Sequence, residues 1–297
     1  MADCGARKSR LGRLKNGDYF MKISALDAWF AFAPLWMIGA TIFLGMIITA
    51  VIGYSLRQRH AKEGEITGDF QEGFMVSAVM GLLALLVGFT FSLAIDRFDT
   101  RRDRVLVEAN AIGATYLRTQ LLDEPYRARI SKLLVDYIDN RVTLGESDPG
   151  PQQNIMLAKN DRQIHDLWSA TVAAFPSMKG YDFSSSYLET MNLLIDMDAA
   201  RKVGRTSHVP AAVLVVLFSC QFIAAGVMAY VLVGRRGRQS AALLFLLFGV
   251  SLMLVIDIDR PTSGSVTESQ EPIIRLQASI HAQPPATFDQ FKGQITP

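Results

Sequence analysis

The sequence comprises 297 residues, half of them hydrophobic, and carries a net charge of +2. Its two cysteines, Cys4 and Cys220, exclude a fold held together by several disulfides. Neither cysteine has the neighbours that zinc ligation requires, so no metal and no cofactor is expected. The near-neutral charge gives no indication of a nucleic-acid partner.

The first 27 residues form a basic tail. Its charges match the start of a secretory signal, but no apolar stretch follows at the expected distance and no cleavage site of small residues is present. We therefore predict a basic tail rather than a cleavable signal. The basic residues near its start are Arg7, Lys8, Arg10, Arg13 and Lys15.

Most apolar residues lie in four uncharged stretches, residues 28–56, 73–95, 206–234 and 239–256. A helix needs roughly 20 apolar residues to cross a bilayer core of about 30 Å. Three stretches meet that length and the fourth is short but densely apolar. We predict two transmembrane helices within residues 28–95 and two within residues 206–256.

The second stretch continues into a charged segment without a Gly or Pro cluster between them. Residues 75–122 therefore form one unbroken helical pattern, with a membrane-spanning half followed by a soluble half. Such an element carries one helix face from the bilayer into the cytoplasm, as a pore-lining or signal-carrying helix requires.

The segment 96–205 has the pattern of a helical domain. Asp123, Glu124 and Pro125 indicate a helix start, with a capping acid and an early proline. Residues 145–151 indicate a turn. The next helix is predicted to end at Pro176, and a last one begins near Ser184. Nothing indicates strands, so the predicted fold is all-α. The predicted apolar faces comprise Ile130, Leu133, Leu134, Tyr137 and Ile138, and Ile164, Leu167, Trp168, Val172 and Phe175.

Four spans place both termini and the middle domain on one side of the membrane. More Lys and Arg residues flank the spans on that side than on the other. The positive-inside rule then predicts a multi-pass protein of the plasma (bacterial inner) membrane with a cytoplasmic middle domain and a cytoplasmic C-terminal segment over residues 257–297.

Motifs of enzymes are absent from the sequence. It has no Gly-rich phosphate loop, no zinc-protease helix motif and no nucleophile elbow. Its histidines are scattered, and surface or packing roles are predicted for them. No enzymatic activity is expected. The histidines are His60, His165, His208 and His281.

Small residues recur along the second span, and two interpretations of its faces are open. Close packing within a helical bundle is one. The other follows the face of Phe89 down the helix, because positions 18 residues apart share a side. That face passes from apolar to acidic at the membrane boundary, which a water-filled axis would tolerate. The small residues are Ser77, Gly81, Gly88 and Ser92, and the face comprises Phe89, Asp96, Thr100, Asp103, Val107 and Ala114, with Asn110 at its edge.

A second group of charges closes the fourth span, where Asp257, Asp259 and Arg260 precede Pro261. The predicted topology places these charges at the depth of the charges that follow the second span, namely Asp96, Arg97 and Arg101. Ion pairing among them is one interpretation, since unpaired charge near lipid is costly. A cation site formed by Asp257 and Asp259 is the other.

These two places carry a resemblance to the bestrophin superfamily. The stretch VGFTFSLAIDRF (87–98) resembles the second bestrophin helix, and DIDRPTSGSVTESQEPIIRL (257–276) resembles the segment after the last bestrophin span. RFDTRRDRVLVEANAIGATYLRTQLLDEPYRARI together with DIDRP is more similar still to a bacterial family of bestrophin-like integral membrane proteins. The similarity extends from about residue 75 onward, and its motifs indicate membership rather than an activity.

The resemblance implies a pentamer around an axial pore, with the second helix lining a hydrophobic neck. Its three neck positions fall on Gly81, Leu85 and Phe89, of which Gly81 departs from the apolar pattern. Arg97, Phe98 and Asp99 stand where bestrophins have Arg-Trp-Trp. The acidic run that senses calcium in animal bestrophins has no clear counterpart, so calcium gating is not implied.

A homo-oligomeric ion channel is the function we predict. Asp96 lies two turns below Phe89 on nearly the same face, and a ring of carboxylates favours cations. Animal bestrophins conduct anions whereas some bacterial relatives pass monovalent cations, and this sequence favours the cation channel. The alternative is a non-conducting scaffold or signalling protein that binds a partner through its cytoplasmic helices.

Overall fold

The computed structural model describes residues 29–30, 33–62, 69–147, 150–232, 234–261 and 264–290, without the side chains of residues 69–72 and 206. The predicted basic tail lies outside the described residues. Within them the chain is helical and contains no strand, which confirms the all-α fold. The helices are α1 (Leu35–Lys62), α2 (Asp69–Thr119), α3 (Tyr126–Glu146), α4 (Pro151–Met178), α5 (Phe183–Thr206), α6 (Ala211–Val231), α7 (Gly234–Asp259) and α8 (Glu271–Ala282), followed by a 3-10 turn at Pro285–Asp289.

Four of these helices, α1, α2, α6 and α7, are long and apolar enough to cross a membrane. They correspond to the four predicted spans. The remaining helices, with the second half of α2, form a separate packed unit that we call the extramembrane domain. Its core is built around Ile112, Leu134, Tyr137 and Leu167, all fully buried.

Helix α2 is unbroken over 51 residues. At a rise of 1.5 Å per residue it is about 75 Å long, far more than a bilayer core of about 30 Å. Its second half therefore continues beyond the membrane, as predicted. The helix ends at Thr119 rather than Leu122, because the amide groups of residues 120–122 bond to carbonyls three residues earlier in a tighter turn.

Two helix ends in the extramembrane domain bear on the predictions. At the start of α3 the acid that bonds to the first turn is Glu124, whose carboxylate accepts a hydrogen bond from the Ala128 amide at 3.2 Å. Helix α4 does not stop at Pro176 but continues to Met178. Proline removes one helical hydrogen bond and its ring crowds the carbonyl four residues earlier, and the helix extends only two residues beyond it.

The predicted apolar face of α3 is correct, since Ile130, Leu134 and Tyr137 are fully buried. The predicted face of α4 is partly wrong. Leu167 is buried, whereas Trp168, Val172 and Phe175 are 37–56% exposed. Periodicity identifies an apolar face, but these three side chains lie on the outer side of the domain.

Glycines set the closest helix contact in the membrane bundle. Helix α1 crosses α6 where Gly53 meets Gly226, and a Cβ atom on Gly53 would lie 2.1 Å from the Gly226 carbonyl oxygen. The obstacle is backbone, which cannot rotate away as a side chain can. Gly53 is therefore required for the contact between α1 and α6.

Replacing Gly53 with Ala is expected to lower stability by roughly 1–3 kcal/mol, because the added methyl forces α1 and α6 apart. The midpoint of thermal unfolding of the solubilised protein measures this. Gly88→Ala is the matched control, since a Cβ there meets nothing within 4 Å and alanine favours the helix. Equal midpoints for the two variants would contradict the packing argument.

Candidate functional site

One face of α2 is left uncovered by the other described residues, from the membrane half into the extramembrane half. Leu85 and Phe89 are 54% and 62% exposed, and the side chains of Asp96 and Asp103 are also exposed. Ala114, predicted to share this face, is partly buried. We call the exposed line the open stripe. It comprises Gly81, Leu85, Phe89, Asp96, Thr100, Asp103, Val107 and Asn110.

Within the part of the chain that the structure describes, the small residues of α2 do not pack against other helices. A Cβ atom on Gly81 or Gly88 would meet nothing within 4 Å, and the side chains of Ser77 and Ser92 are exposed. The interpretation of these residues as packing positions in the chain's own bundle is therefore wrong. The assignment of Gly81, Leu85 and Phe89 to a pore neck stays a prediction.

The opposite face of α2 is buried from Leu83 onward. Leu83, Thr90 and Ala94 are buried in the membrane half, and Val105 and Ile112 in the extramembrane half. This division orients the helix, because the buried side is fixed by packing and the open stripe must face away from it.

At the membrane boundary Arg101 connects α2 with the end of α7. Its guanidinium is buried and donates to the carbonyls of Ile258 at 2.9 Å and Asp259 at 3.5 Å. The last carbonyls of a helix lack partners within the helix, and a cation there also complements the helix dipole. Glu268 lies 3.7 Å from the same guanidinium.

The charged group that closes α7 is satisfied mainly by backbone. Asp257 accepts from both the amide and the hydroxyl of Ser265, and Asp259 accepts from the Val209 amide at 2.8 Å. Arg260 donates to the Phe30 carbonyl at 2.9 Å. All three charged side chains are about 95% buried.

In place of direct ion pairs at this depth, the charged side chains bond mainly to backbone, while Arg97 and Arg101 attract Asp259, and Asp257 attracts Arg260, over longer distances. Within the part of the chain that the structure describes, no carboxylate–guanidinium pair joins any two of the six residues proposed for ion pairing. The residues are Asp96, Arg97, Arg101, Asp257, Asp259 and Arg260. The alternative of a cation site at Asp257 and Asp259 gains no support either, because their carboxylates face different backbone segments. Among the described residues no group of three or more His, Cys, Asp or Glu side chains could hold a metal.

A buried ion cluster in the extramembrane domain was not predicted from the sequence. Its centre is Glu108 of α2, which is fully buried. Arg141 of α3 contacts both of its carboxylate oxygens, at 2.8 and 2.9 Å. Arg201 of α5 donates to it at 2.6 Å, and the Tyr137 hydroxyl at 3.1 Å. One carboxylate thereby fixes three helices relative to one another.

A second carboxylate extends the cluster. Asp198 accepts from the Asn160 amide at 2.6 Å and from the Lys202 ammonium at 2.5 Å. Burial alone would lower the pKa of Arg141, but the carboxylate of Glu108 outweighs it and holds that pKa above its ordinary value. Burial, with Glu108 adding to it, raises the pKa of Tyr137 well above its ordinary value. The guanidinium and the phenol therefore keep their protons.

The sequence did contain a signal for Glu108. The residue lies three positions after Val105 and four before Ile112, which places a carboxylate on the apolar face of the helix. A buried carboxylate requires a cation partner. The two arginines that supply it, Arg141 and Arg201, lie 33 and 93 positions further along the chain, so short-range spacing does not identify them.

Known proteins with this architecture were found by comparison. A model of the bestrophin-like domain matches residues 39–273. A crystal structure of a variant of a bacterial bestrophin homologue from Klebsiella pneumoniae superposes with a TM-score of 0.62 at 15% identity, covering 87% of this chain and 99% of that one. A second variant gives a TM-score of 0.61 at 15% identity over 84% and 98% of the chains. No curated protein sequence matches significantly. At this identity the superpositions establish a shared fold.

Replacing Glu108 with Gln is expected to destabilise the protein by about 3–5 kcal/mol, because Arg141 and Arg201 stay buried without a compensating charge. Thermal unfolding followed by circular dichroism measures the loss. Glu189→Gln is the control, since Glu189 is exposed on α5. A Glu108→Gln variant as stable as this control would show that the cluster does not hold the domain together.

Proposed function

Because the chain belongs to the bestrophin-like family, we propose that it forms a homo-oligomeric ion channel in the bacterial inner membrane. Five copies would surround an axial pore lined by α2, and monovalent cations would be the permeant ions. The open stripe is the observation that carries this proposal. It runs along one helix from the membrane half to the extramembrane half, and no other described residue of the chain covers it.

The change of polarity along the stripe supports a water-filled axis. A helix face turned to lipid is expected to be apolar, and ionised side chains there are costly. Yet Asp96 and Asp103 extend the line that begins at Leu85 and Phe89. Facing copies around an axis would place apolar rings within the bilayer and carboxylate rings where water is available.

The neck would be formed by Leu85 and Phe89, one turn apart and both more than half exposed. Rings of such side chains narrow a pore and exclude water from it, so they act as a hydrophobic gate. Gly81 would contribute no side chain to this gate. The proposed neck is therefore two rings deep rather than three.

Asp96 would set the selectivity. Its carboxylate is exposed and forms no ion pair within the described residues. A ring of five such carboxylates concentrates cations and repels anions at the pore mouth. Orientation follows the positive-inside rule, with the extramembrane domain and both termini in the cytoplasm.

A non-conducting scaffold or signalling protein is the second candidate. Trp168, Val172 and Phe175 favour it, since these apolar side chains lie exposed on one side of α4 and aromatic residues are enriched where proteins bind partners. This candidate predicts a monomer or dimer without ion flux.

The mass of the detergent-solubilised complex distinguishes the two candidates. The channel requires about five times the chain mass of 32.8 kDa after correction for detergent. Light scattering coupled to size exclusion measures it. A mass that corresponds to a monomer or a dimer would contradict the proposed pore.

Asp96→Asn is expected to lower the cation-to-anion permeability ratio by about fivefold, the factor that corresponds to about 1 kcal/mol of Coulomb energy. Reversal potentials of the purified protein in planar bilayers measure this ratio. The control is Asp136→Asn, an exposed residue of α3. An unchanged ratio in Asp96→Asn would reject the selectivity role of the ring.

Phe89→Ala is expected to raise single-channel conductance, because removing the ring side chain widens and wets the neck. Single-channel recording in the same bilayers measures it. Leu44→Ala serves as control, since Leu44 is similarly exposed at 60% but lies on α1. Equal conductance in the two variants would contradict the proposed neck.

A further inference from the structure

A polar cavity of about 390 Å³ lies in the extramembrane domain beside the end of the last membrane helix. It is enclosed by the end of α3, the end of α5 and the segment between α7 and α8. Its lining includes the hydroxyl groups of Ser147, Thr267 and Ser269. Sites for small molecules have volumes of roughly 300–1,000 Å³. The cavity is therefore large enough for a small ligand.

Arg205 of α5 forms part of the wall and is incompletely bonded. Its Nη2 donates to the Leu144 carbonyl at 3.3 Å, whereas its buried Nη1 has no acceptor among the described residues. A guanidinium removed from water without an acceptor is costly. Nη1 is itself buried behind the cavity wall, so an anion in the cavity would supply an acceptor once the side chain rotates toward it.

The described lining residues carry one cation, Arg205, and two carboxylates, Glu146 and Glu268. The excess of cations comes from further arginines behind this wall. Arg141 and Arg201 share Glu108, and Arg101 lies beside Glu268, which lines the cavity. No carboxylate of the described residues forms an ion pair with Arg104 or Arg205. The remaining lining carboxylate belongs to Glu146, which is exposed to solvent.

Two further observations agree with this excess. Burial, with Arg141 and Arg201 nearby, lowers the pKa of Arg205 to about 10. The positive charges of Arg141 and Arg201 thus disfavour the protonated form of Arg205. Gly204 lets the Arg104 guanidinium approach, since a Cβ there would lie 2.9 Å from Nη1. Arginines are thereby gathered next to one cavity.

We propose that this cavity binds a phosphate group, with the Arg205 guanidinium as its charged ligand and the hydroxyls of Thr267 and Ser269 as further donors. The planar fork of arginine matches the oxygens of a phosphate. The group is carried either by a soluble phosphorylated molecule or, since the cavity adjoins the membrane boundary, by a lipid headgroup.

A ligand bound in the cavity would be coupled to α2 through a series of side-chain contacts. Gln270, which lines the cavity, accepts from Arg201 at 3.0 Å. Arg201 in turn holds Glu108. The binding site is argued from the cavity alone and is tested without ion flux, so its failure and that of the channel are distinguishable.

The test is the thermal stability of the full-length protein in phosphatidylcholine nanodiscs, with inorganic phosphate added against chloride at equal ionic strength. The wild type is expected to melt at a higher temperature in phosphate. Arg205→Gln is expected to weaken the apparent affinity about tenfold or more. The same variant should melt at an equal or higher temperature without phosphate, because it removes a poorly compensated charge. A purely structural arginine would show the reverse.

A second variant and a control complete the test. Thr267→Trp fills the cavity from an exposed position and should abolish the response to phosphate while all arginines remain. Arg162→Gln removes an equal charge from the exposed surface of α4 and should respond as the wild type does. An undiminished response in either cavity variant would overturn the proposal.

Phosphatidic acid in the nanodiscs distinguishes the two sources of the phosphate. Stabilisation by free phosphate that depends on Arg205 identifies a soluble ligand. Stabilisation that depends on Arg205 and requires phosphatidic acid identifies a lipid headgroup. If neither addition stabilises the wild type more than Arg205→Gln, the cavity is not a phosphate site.

Discussion

The carboxylate of Glu108 is the point on which the extramembrane domain depends. Fully buried, it bonds to guanidinium groups from α3 and α5 while belonging to α2 itself. Removing an ion from water is costly, and only close, multiple bonds offset that cost. The arrangement therefore specifies one relative placement of three helices, which a purely apolar core of Leu and Ile would define less sharply.

Where the extramembrane domain meets the membrane bundle, buried charges are stabilised in a different way. The charges there bond to backbone groups at helix ends and in connecting segments. Arg101 supplies donors to the last carbonyls of α7, and Asp259 accepts from the amide of Val209, just ahead of α6. These bonds satisfy the unpaired backbone groups of helix ends. Thus the two segments that connect α5 with α6 and α7 with α8 are fixed to the same place.

The sequence predicted what depends on composition and short spacing. The length of apolar runs identifies the four spans, and the absence of Gly and Pro clusters explains why α2 continues beyond the bilayer. Partners distant in the chain lay beyond its reach. The pairing of Glu108 with Arg201 and the bonding of Asp257 to Ser265 depend on how helices and loops meet in space. For the same reason the exposed side of α4, with Trp168 and Val172, was mistaken for part of the core.

The continuity of α2 has a mechanical consequence. Glu108 and Phe89 are 19 positions apart on one helix without proline, about 28 Å along its axis. A hydrogen-bonded helix of this kind resists twisting, so a rotation imposed at one end is transmitted along its length. A rotation of α2 about its axis by a few degrees at Glu108 would rotate Phe89 in the same direction. The buried side chains on the other face of α2 pack against neighbouring helices and resist bending between these two positions.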